Sequence, residues 1–359
     1  MTRPSRTRVL RRSLLATALV APLLLTACAG APPAAPGADG SLAGRQLVFT
    51  NYGGAGLQAA EEKWLAPFAE RTGVRYATDS PTDNAKIATM VESGSTTWDV
   101  VHGDAGTGKL ECGRLFEKRP ASFDMSRVDP RYVTDDCGVP IWGLAIGLTY
   151  NKKLFGANPP TSLTDFMDTE RFPGKRITFN YPTGQLEALL AATGKAPDEI
   201  YPIDWAAAEA AVRTLGPDLS LQSTAAQQGT AQESGDFAMC LCLLGRTGLA
   251  IGNGADVGVV WDRIWVGWDD AYVVKGTRSP DAAWAFMQFL ATPESGAVYE
   301  VLPYSPTTLD THPAVRPEFE QVMPQFNQDE IRQTYDFDVQ WWADNQETAM
   351  AEWTRITAG

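Results

Sequence analysis

The stretch that most constrains this chain is Val139–Phe155, VPIWGLAIGLTYNKKLF, a near-continuous apolar run that closes on Tyr150-Asn151-Lys152-Lys153. A segment of this kind suits a strand buried on both faces, which requires covering layers on each side of its sheet. Gly143 and Gly147 within it permit close approach by another backbone or by a ligand. The run comes late enough to follow one complete α/β unit and too early to close the chain. It therefore reads as a strand that leaves one lobe and enters a second.

What precedes the fold is a leader. Arg3, Arg6, Arg8, Arg11 and Arg12 stand before an apolar run, Leu14–Leu25, that is too short for a permanent membrane span and matches a signal peptide over residues 1–27. Arg11-Arg12-Ser13-Leu14-Leu15 also fits a loose twin-arginine signal, so the Sec and twin-arginine routes both stay open. Leu25-Thr26-Ala27-Cys28 has the form of a lipobox, which makes Cys28 the lipidated first residue of a protein tethered outside the cytoplasm. Residues 28–42 are rich in Pro, Gly and Ala and read as a flexible tether. Losing residues 1–27 takes five positive charges and no negative one from a net −13, leaving −18. That balance argues against nucleic acid and anionic lipid as partners and is compatible with a cationic ligand.

Four cysteines remain after Cys28. Cys112 and Cys137 are expected to form a disulfide, an expectation resting on the export signal and the length of the loop between them. In an extended strand, Cys240 and Cys242 have Cα atoms about 6.6 Å apart, near the limit for a bridge, so a disulfide and two buried thiols both remain open. A metal site is not expected, because His102 and His312 are the only histidines and neither has ligand spacing to a cysteine pair.

Between residue 46 and the apolar run, strand and helix signals alternate. Gln46–Asn51 reads as a strand, Leu57–Arg71 as a helix ended by Gly73, Val74–Ala77 as a strand, a helix capped by Asp83 or Asn84 follows, and Trp98–His102 is a further strand. Gly103–Lys109 imitates a phosphate-binding GxxxxGK loop, but Leu110 occupies the position where a Ser or Thr would bind magnesium. Its glycines are instead expected to let the chain line a cleft at the carboxyl end of the sheet. After the run, Arg176–Asn180, a strand near Ser220 and Phe237–Leu243 alternate with helices at 185–193, 204–215 and 225–234. This second alternating unit is expected to end near Val257–Trp261, and Trp268–Val274 to form a second crossing strand before a helix opened by Ser279-Pro280.

The order of WDVV at Trp98, CGVPIWGLAIGLTYNKKLF at Cys137, FPGKR at Phe172, SGDFAM at Ser234, PDAAWAFMQFLATPES at Pro280 and YSPTT at Tyr304 resembles the extracellular solute-binding proteins of ABC importers, in particular the spermidine/putrescine-binding branch. The resemblance runs from about residue 46 to the C-terminus, including a closing helix with Trp341, Trp342 and Trp353. It implies the two-lobed α/β fold of type II periplasmic binding proteins, with a mainly parallel sheet in each lobe and two crossing strands at the hinge. The implied domains are residues 43–148 with 271–310 for lobe 1, 149–270 for lobe 2, and 311–359 for C-terminal helices. It also implies a monomer that traps a solute by hinge closure and delivers it to a permease.

Polyamine binders of this kind use carboxylates for the ammonium groups and aromatic walls for the methylene chain. By that resemblance Asp269 falls at the amine-binding aspartate and Tyr52 at an aromatic wall. Gly53, Asp104, Trp142 and Trp268 complete the expected ligand contacts. The chain departs from the pattern at Tyr181 and Gly184, near where a second acidic pair is expected, and at Leu243 and Leu244, where an aromatic is expected. A non-polyamine organic solute is the alternative. An enzyme on the same fold is the rival class, but there is no HExxH, no GxSxG and no clustered nucleophile. No cofactor is expected.

Overall fold

The computed structural model describes residues 41–358. The signal segment, Cys28 and the tether up to residue 40 lie outside the described residues.

The first α/β unit runs β1 (Gln46–Thr50), α1 (Gly54–Ala60), α2 (Ala66–Thr72), β2 (Arg75–Asp79), α3 (Asn84–Glu92), β3 (Val100–Asp104) and α4 (Ala105–Glu111). A π-helical turn, Glu61–Leu65, joins α1 to α2, so the helix expected from Leu57 begins three residues earlier and continues to Thr72. Asp83 caps α3 by accepting from the Lys86 N–H at 2.8 Å. The long apolar run becomes β4 (Val139–Asn151), followed by the short α5 (Lys152–Phe155). A second unit then runs β5 (Arg176–Phe179), α6 (Gln185–Ala192), α7 (Trp205–Leu215), β6 (Leu219–Gln222), α8 (Ala225–Ser234), β7 (Met239–Leu243) and α9 (Leu244–Gly252). The chain closes with β8 (Val257–Val273), α10 (Pro280–Leu290), α11 (Pro317–Glu320), β9 (Gln333–Asp336) and α12 (Val339–Thr357).

Among the described residues one nine-stranded sheet has the order β2-β1-β3-β8-β4-β7-β5-β6, with β9 also paired to β8. β1 is parallel to β2 and β3, and β5 is parallel to β6 and β7. These two parallel triplets are held together by β4 and β8. That antiparallel pair runs from Val139 opposite Ala271 at one end to Asn151 opposite Val257 at the other. The second crossing strand is therefore longer than expected, starting at Val257 rather than Trp268. Its ladder with β4 is irregular where Gly147 pairs with Ile264 and Leu148 with Val260. Asp262, in that skipped segment, accepts from the Ser162 hydroxyl at 2.9 Å and the Leu163 N–H at 3.3 Å, which explains a charged residue inside a buried strand.

Each triplet has its own core. Leu47, Phe49, Trp64, Phe68, Phe286 and Phe289 pack against one half of the sheet, with the Phe49 and Phe286 rings 5.7 Å apart, edge to face. Leu186, Leu189, Leu190, Leu241, Trp342 and Trp353 belong to the core of the other half. α12 touches both halves. Its Gln346 donates to the Thr107 hydroxyl in the first turn of α4 at 2.6 Å, while Trp342 Nε1 donates to Glu187 at 2.8 Å and Trp353 Nε1 to Asn180 at 3.0 Å.

Cys112 and Cys137 form the expected disulfide, with Cα atoms 5.6 Å apart, tying the end of α4 to the approach to β4. Cys240 and Cys242 are also bridged. Their Cα atoms are 5.2 Å apart, closer than in a fully extended strand, and both residues are buried. Apart from Asp104, Gly103–Lys109 does not form the cleft lining expected of its glycines: a Cβ at Gly108 would overlap the Tyr272 ring, and one at Gly106 would come within 3.0 Å of Trp342. These glycines serve close packing of α4 against β8 and α12.

Candidate functional site

A cavity of about 550 Å³ opens where the two triplets meet along β4 and β8. That volume is in the range typical of small-molecule sites. From the first unit come the segment after β1 and the end of β3; from the second come the N-termini of α6, α8 and α9; the crossing strands form the floor. Tyr52, Gly53, Asp104, Trp142, Trp268 and Asp269, singled out above, all line this one cavity. Tyr181 and Leu243 line it as well, whereas Gly184 and Leu244 do not.

Register places the acidic groups. Asp269 on β8 lies opposite Asp104 on β3 and opposite Trp142 on β4, so two carboxylates and an indole share one face of three adjacent strands. Asp104 caps α4, accepting from the Thr107 N–H at 2.8 Å and the Thr107 hydroxyl at 2.7 Å. Burial, with a smaller contribution from the Asp269 charge, holds the Asp104 carboxyl above the usual range. Asp269 accepts at Oδ2 from His102 Nε2 at 2.8 Å and from Trp142 Nε1 at 3.2 Å. Asp270 points to the opposite face, as strand alternation requires. There it is buried and accepts from the Tyr272 hydroxyl at 2.7 Å. Burial, then the nearby Asp135 charge, pushes its carboxyl well above the ordinary value.

A cation faces the same space. Arg246, in the first turn of α9, lines the cavity beside Tyr304, and its Nε has no hydrogen-bond partner among the described residues. Gly245 makes this possible, because a Cβ there would overlap the Tyr304 ring. Gln185 Nε2, Trp265 Nε1 and Trp268 Nε1 belong to lining residues too and also lack partners among the described residues. Buried N–H groups without acceptors are costly, typically about 1–3 kcal/mol each. The walls are largely aromatic: Tyr52, Trp142, Phe179, Tyr181, Trp265, Trp268, Tyr304 and Phe337.

Arg246, His102, Asn51 and Gln185 were not singled out as ligand contacts from the sequence. For Arg246 a signal exists, since a cation in the first turn of a helix opposes the helix dipole and asks for a nearby anion. Among the described residues, the cluster with metal-like spacing is Cys112, Asp135 and Cys137, but its two sulfurs are consumed in the disulfide. No helix of the described residues is long and apolar enough to cross a membrane.

A model of the bacterial extracellular solute-binding proteins matches residues 63–333. The chain belongs to that family. Within it, the chain is 29% identical over 274 residues to the gamma-aminobutyric acid-binding protein of Pseudomonas aeruginosa, covering 73% of this chain and 77% of that one. A solved GABA receptor superposes with a TM-score of 0.79 at 27% identity, over 87% of this chain and 97% of the other. A periplasmic binding protein of Agrobacterium tumefaciens R10 in complex with agropinic acid gives 0.77 at 25% identity, over 88% and 99%. This solute-binding protein thus has the two-lobed type II fold and serves an ABC importer of small molecules. It is a binding protein, not an enzyme.

Proposed function

We propose that this protein captures a small amine-bearing carboxylic acid, of which γ-aminobutyrate is the leading candidate, and presents it to its importer. The observation that carries this reading is a cavity bearing Arg246 as well as Asp269 and Asp104. Arg246 offers a fork for a carboxylate, and Asp269 offers an oxygen for an ammonium group. The helix N-termini of α6, α8 and α9 add positive potential at the carboxylate end. Two relatives carry GABA in their names.

The polyamine reading draws on the two carboxylates and the aromatic walls. A diamine, however, brings a cation toward Arg246 and no acceptor for the N–H groups of Gln185, Trp265 and Trp268. A site built to hydrogen-bond a group rejects the analogue lacking it. On the same proposal, residues 43–148 with 271–310 and residues 149–270 act as two closing lobes around one ligand per monomer, with residues 311–359 supplying the C-terminal helices. On this reading the signal peptide directs export and is removed, and lipidated Cys28 then holds the protein outside the cytoplasm.

Calorimetry with γ-aminobutyrate, 5-aminovalerate, agropinic acid, butyrate, putrescine and spermidine tests the ligand class. An amino acid should bind at least about tenfold more tightly than either the diamine or butyrate, and Arg246→Gln should abolish its advantage over the diamine. Preferential binding of putrescine or spermidine would overturn the proposal in favour of the polyamine reading.

A further inference from the structure

His102 belongs to none of the groups that offer charge to a ligand, yet on β3, beside the floor of the cavity, it is 3% exposed and bonded through both ring nitrogens. Its neighbours settle which nitrogen carries the proton. The Gly53 N–H donates to Asn51 Oδ1 at 2.9 Å, so the Asn51 amide must present its nitrogen to the ring, where Nδ2 lies 3.0 Å from His102 Nδ1. An amide nitrogen only donates, so Nδ1 must accept and be unprotonated. The proton then sits on Nε2, 2.8 Å from Asp269 Oδ2, which also accepts from Trp142 Nε1 at 3.2 Å. A doubly protonated ring would set two N–H donors against each other at Asn51, and turning that amide over would break its bond to Gly53.

We propose that His102 is a positioning residue for ligand capture: as a neutral Nε2–H imidazole it pins Oδ2 of Asp269 and leaves Oδ1 to receive the ligand's amine. This rests on the amino-acid reading of the site and deepens it. A neutral ring supplies a directional bond without cancelling the carboxylate's charge, so the charge remains for the ligand to neutralise. Edge-to-face contacts with Tyr52, 4.8 Å between centroids, and with Trp142, 4.9 Å, keep the imidazole from rotating. The same relay reaches Gly53 at the start of α1, so the loop lining one wall and the carboxylate on the floor are set together.

Two measurements test this. In unliganded protein labelled with 15N at histidine, where only His102 and His312 contribute, His102 should show a protonated Nε2 and an unprotonated Nδ1 at neutral pH. A proton on Nδ1, or an imidazolium, overturns the assignment whatever ligand binds. The second is a double-mutant cycle read by calorimetry with the tightest-binding member of the ligand panel above. His102→Leu should weaken binding by about tenfold or more, since a hydrogen bond to a charged group is lost, and His102→Gln, which retains an N–H near the Nε2 position, should recover most of it. In an Asp269→Asn background His102→Leu should cost little further, because it acts through Asp269. Additive losses, or no rescue by glutamine while the variants melt like wild type, would overturn the positioning role. Failure of the amino-acid reading would show instead as a wild type that prefers a diamine. If His102→Leu does not fold, the nitrogen assignment and the glutamine variant still decide.

Discussion

Asp269 and Asp270 are neighbours in the chain with opposite surroundings, so one substitution made at each should have opposite consequences. In Asp269→Asn the amide oxygen can still accept from His102 and Trp142, which leaves the amide NH2 facing the cavity where the ligand's ammonium is expected. Truncating one partner of a buried charge pair costs about 2–5 kcal/mol. Here Asp104, directly opposite on β3, still supplies negative potential although both its oxygens are engaged by Thr107, which places the loss toward the lower part of that range. About 2–3 kcal/mol corresponds to a roughly 30- to 150-fold weaker dissociation constant for γ-aminobutyrate. Asp270→Asn should change affinity less than about threefold, a few tenths of a kcal/mol, and should instead alter the pH dependence of stability. Folding raises the Asp270 pKa, so the native state holds that proton more tightly than the unfolded chain. The stability this contributes is complete below the unfolded value, about 4, and is lost as pH climbs through the folded value. A neutral asparagine has no such loss, so the variant should gain on wild type as pH rises from 4 to 8. Calorimetry and thermal denaturation across that range check both arms. Equal affinity losses at the two positions, or an Asp269 variant that binds within threefold of wild type, would refute the assignment of faces and roles.

Replacing Cys112 and Cys137 together by alanine should cost about 3 kcal/mol by the loop-closure argument, measured by denaturant unfolding under non-reducing conditions, with ligand affinity unchanged. Cys28→Ala should release the exported protein from the membrane, because stable anchoring needs more than one acyl chain; fractionation showing the variant still in the membrane pellet after signal cleavage would contradict lipidation.

Much of the architecture was legible because burial on two faces leaves a plain mark: β4 is apolar almost throughout, and the alternating units on either side carry ordinary caps such as Asp83. β8 was not legible as one strand because Asp262 and Arg263 interrupt its apolar pattern; the distant Ser162 and Leu163, together with Arg263 and Arg332, each 3.6 Å from the carboxylate, explain why it is tolerated there. Asp104, Asp269, Tyr52, Trp142 and Trp268 could be placed from strand ends and resemblance, whereas Phe179, Tyr304 and Phe337 carry no signal in the sequence that sets them apart from core aromatics. His102 could not, since its meaning lies in a contact 167 residues away and in the orientation of the Asn51 amide. Arg246 stands against a helix dipole, a signal that exists only once the structure places α9 after β7. The GxxxxGK segment misled for the converse reason: glycine spacing is the same whether the neighbour is a ligand or, as at Gly108, the Tyr272 ring.

Three indoles, those of Trp142, Trp265 and Trp268, stand in the wall of the cavity, and two of them carry N–H groups without partners among the described residues. Indole emission responds to local polarity and to hydrogen bonding at nitrogen, so occupancy of this site should write itself into the protein's own fluorescence. The wild-type molecule is in that respect a reagentless sensor. Single Trp→Phe replacements at these three positions would assign the optical signal to one wall and let ligand arrival be timed without a dye.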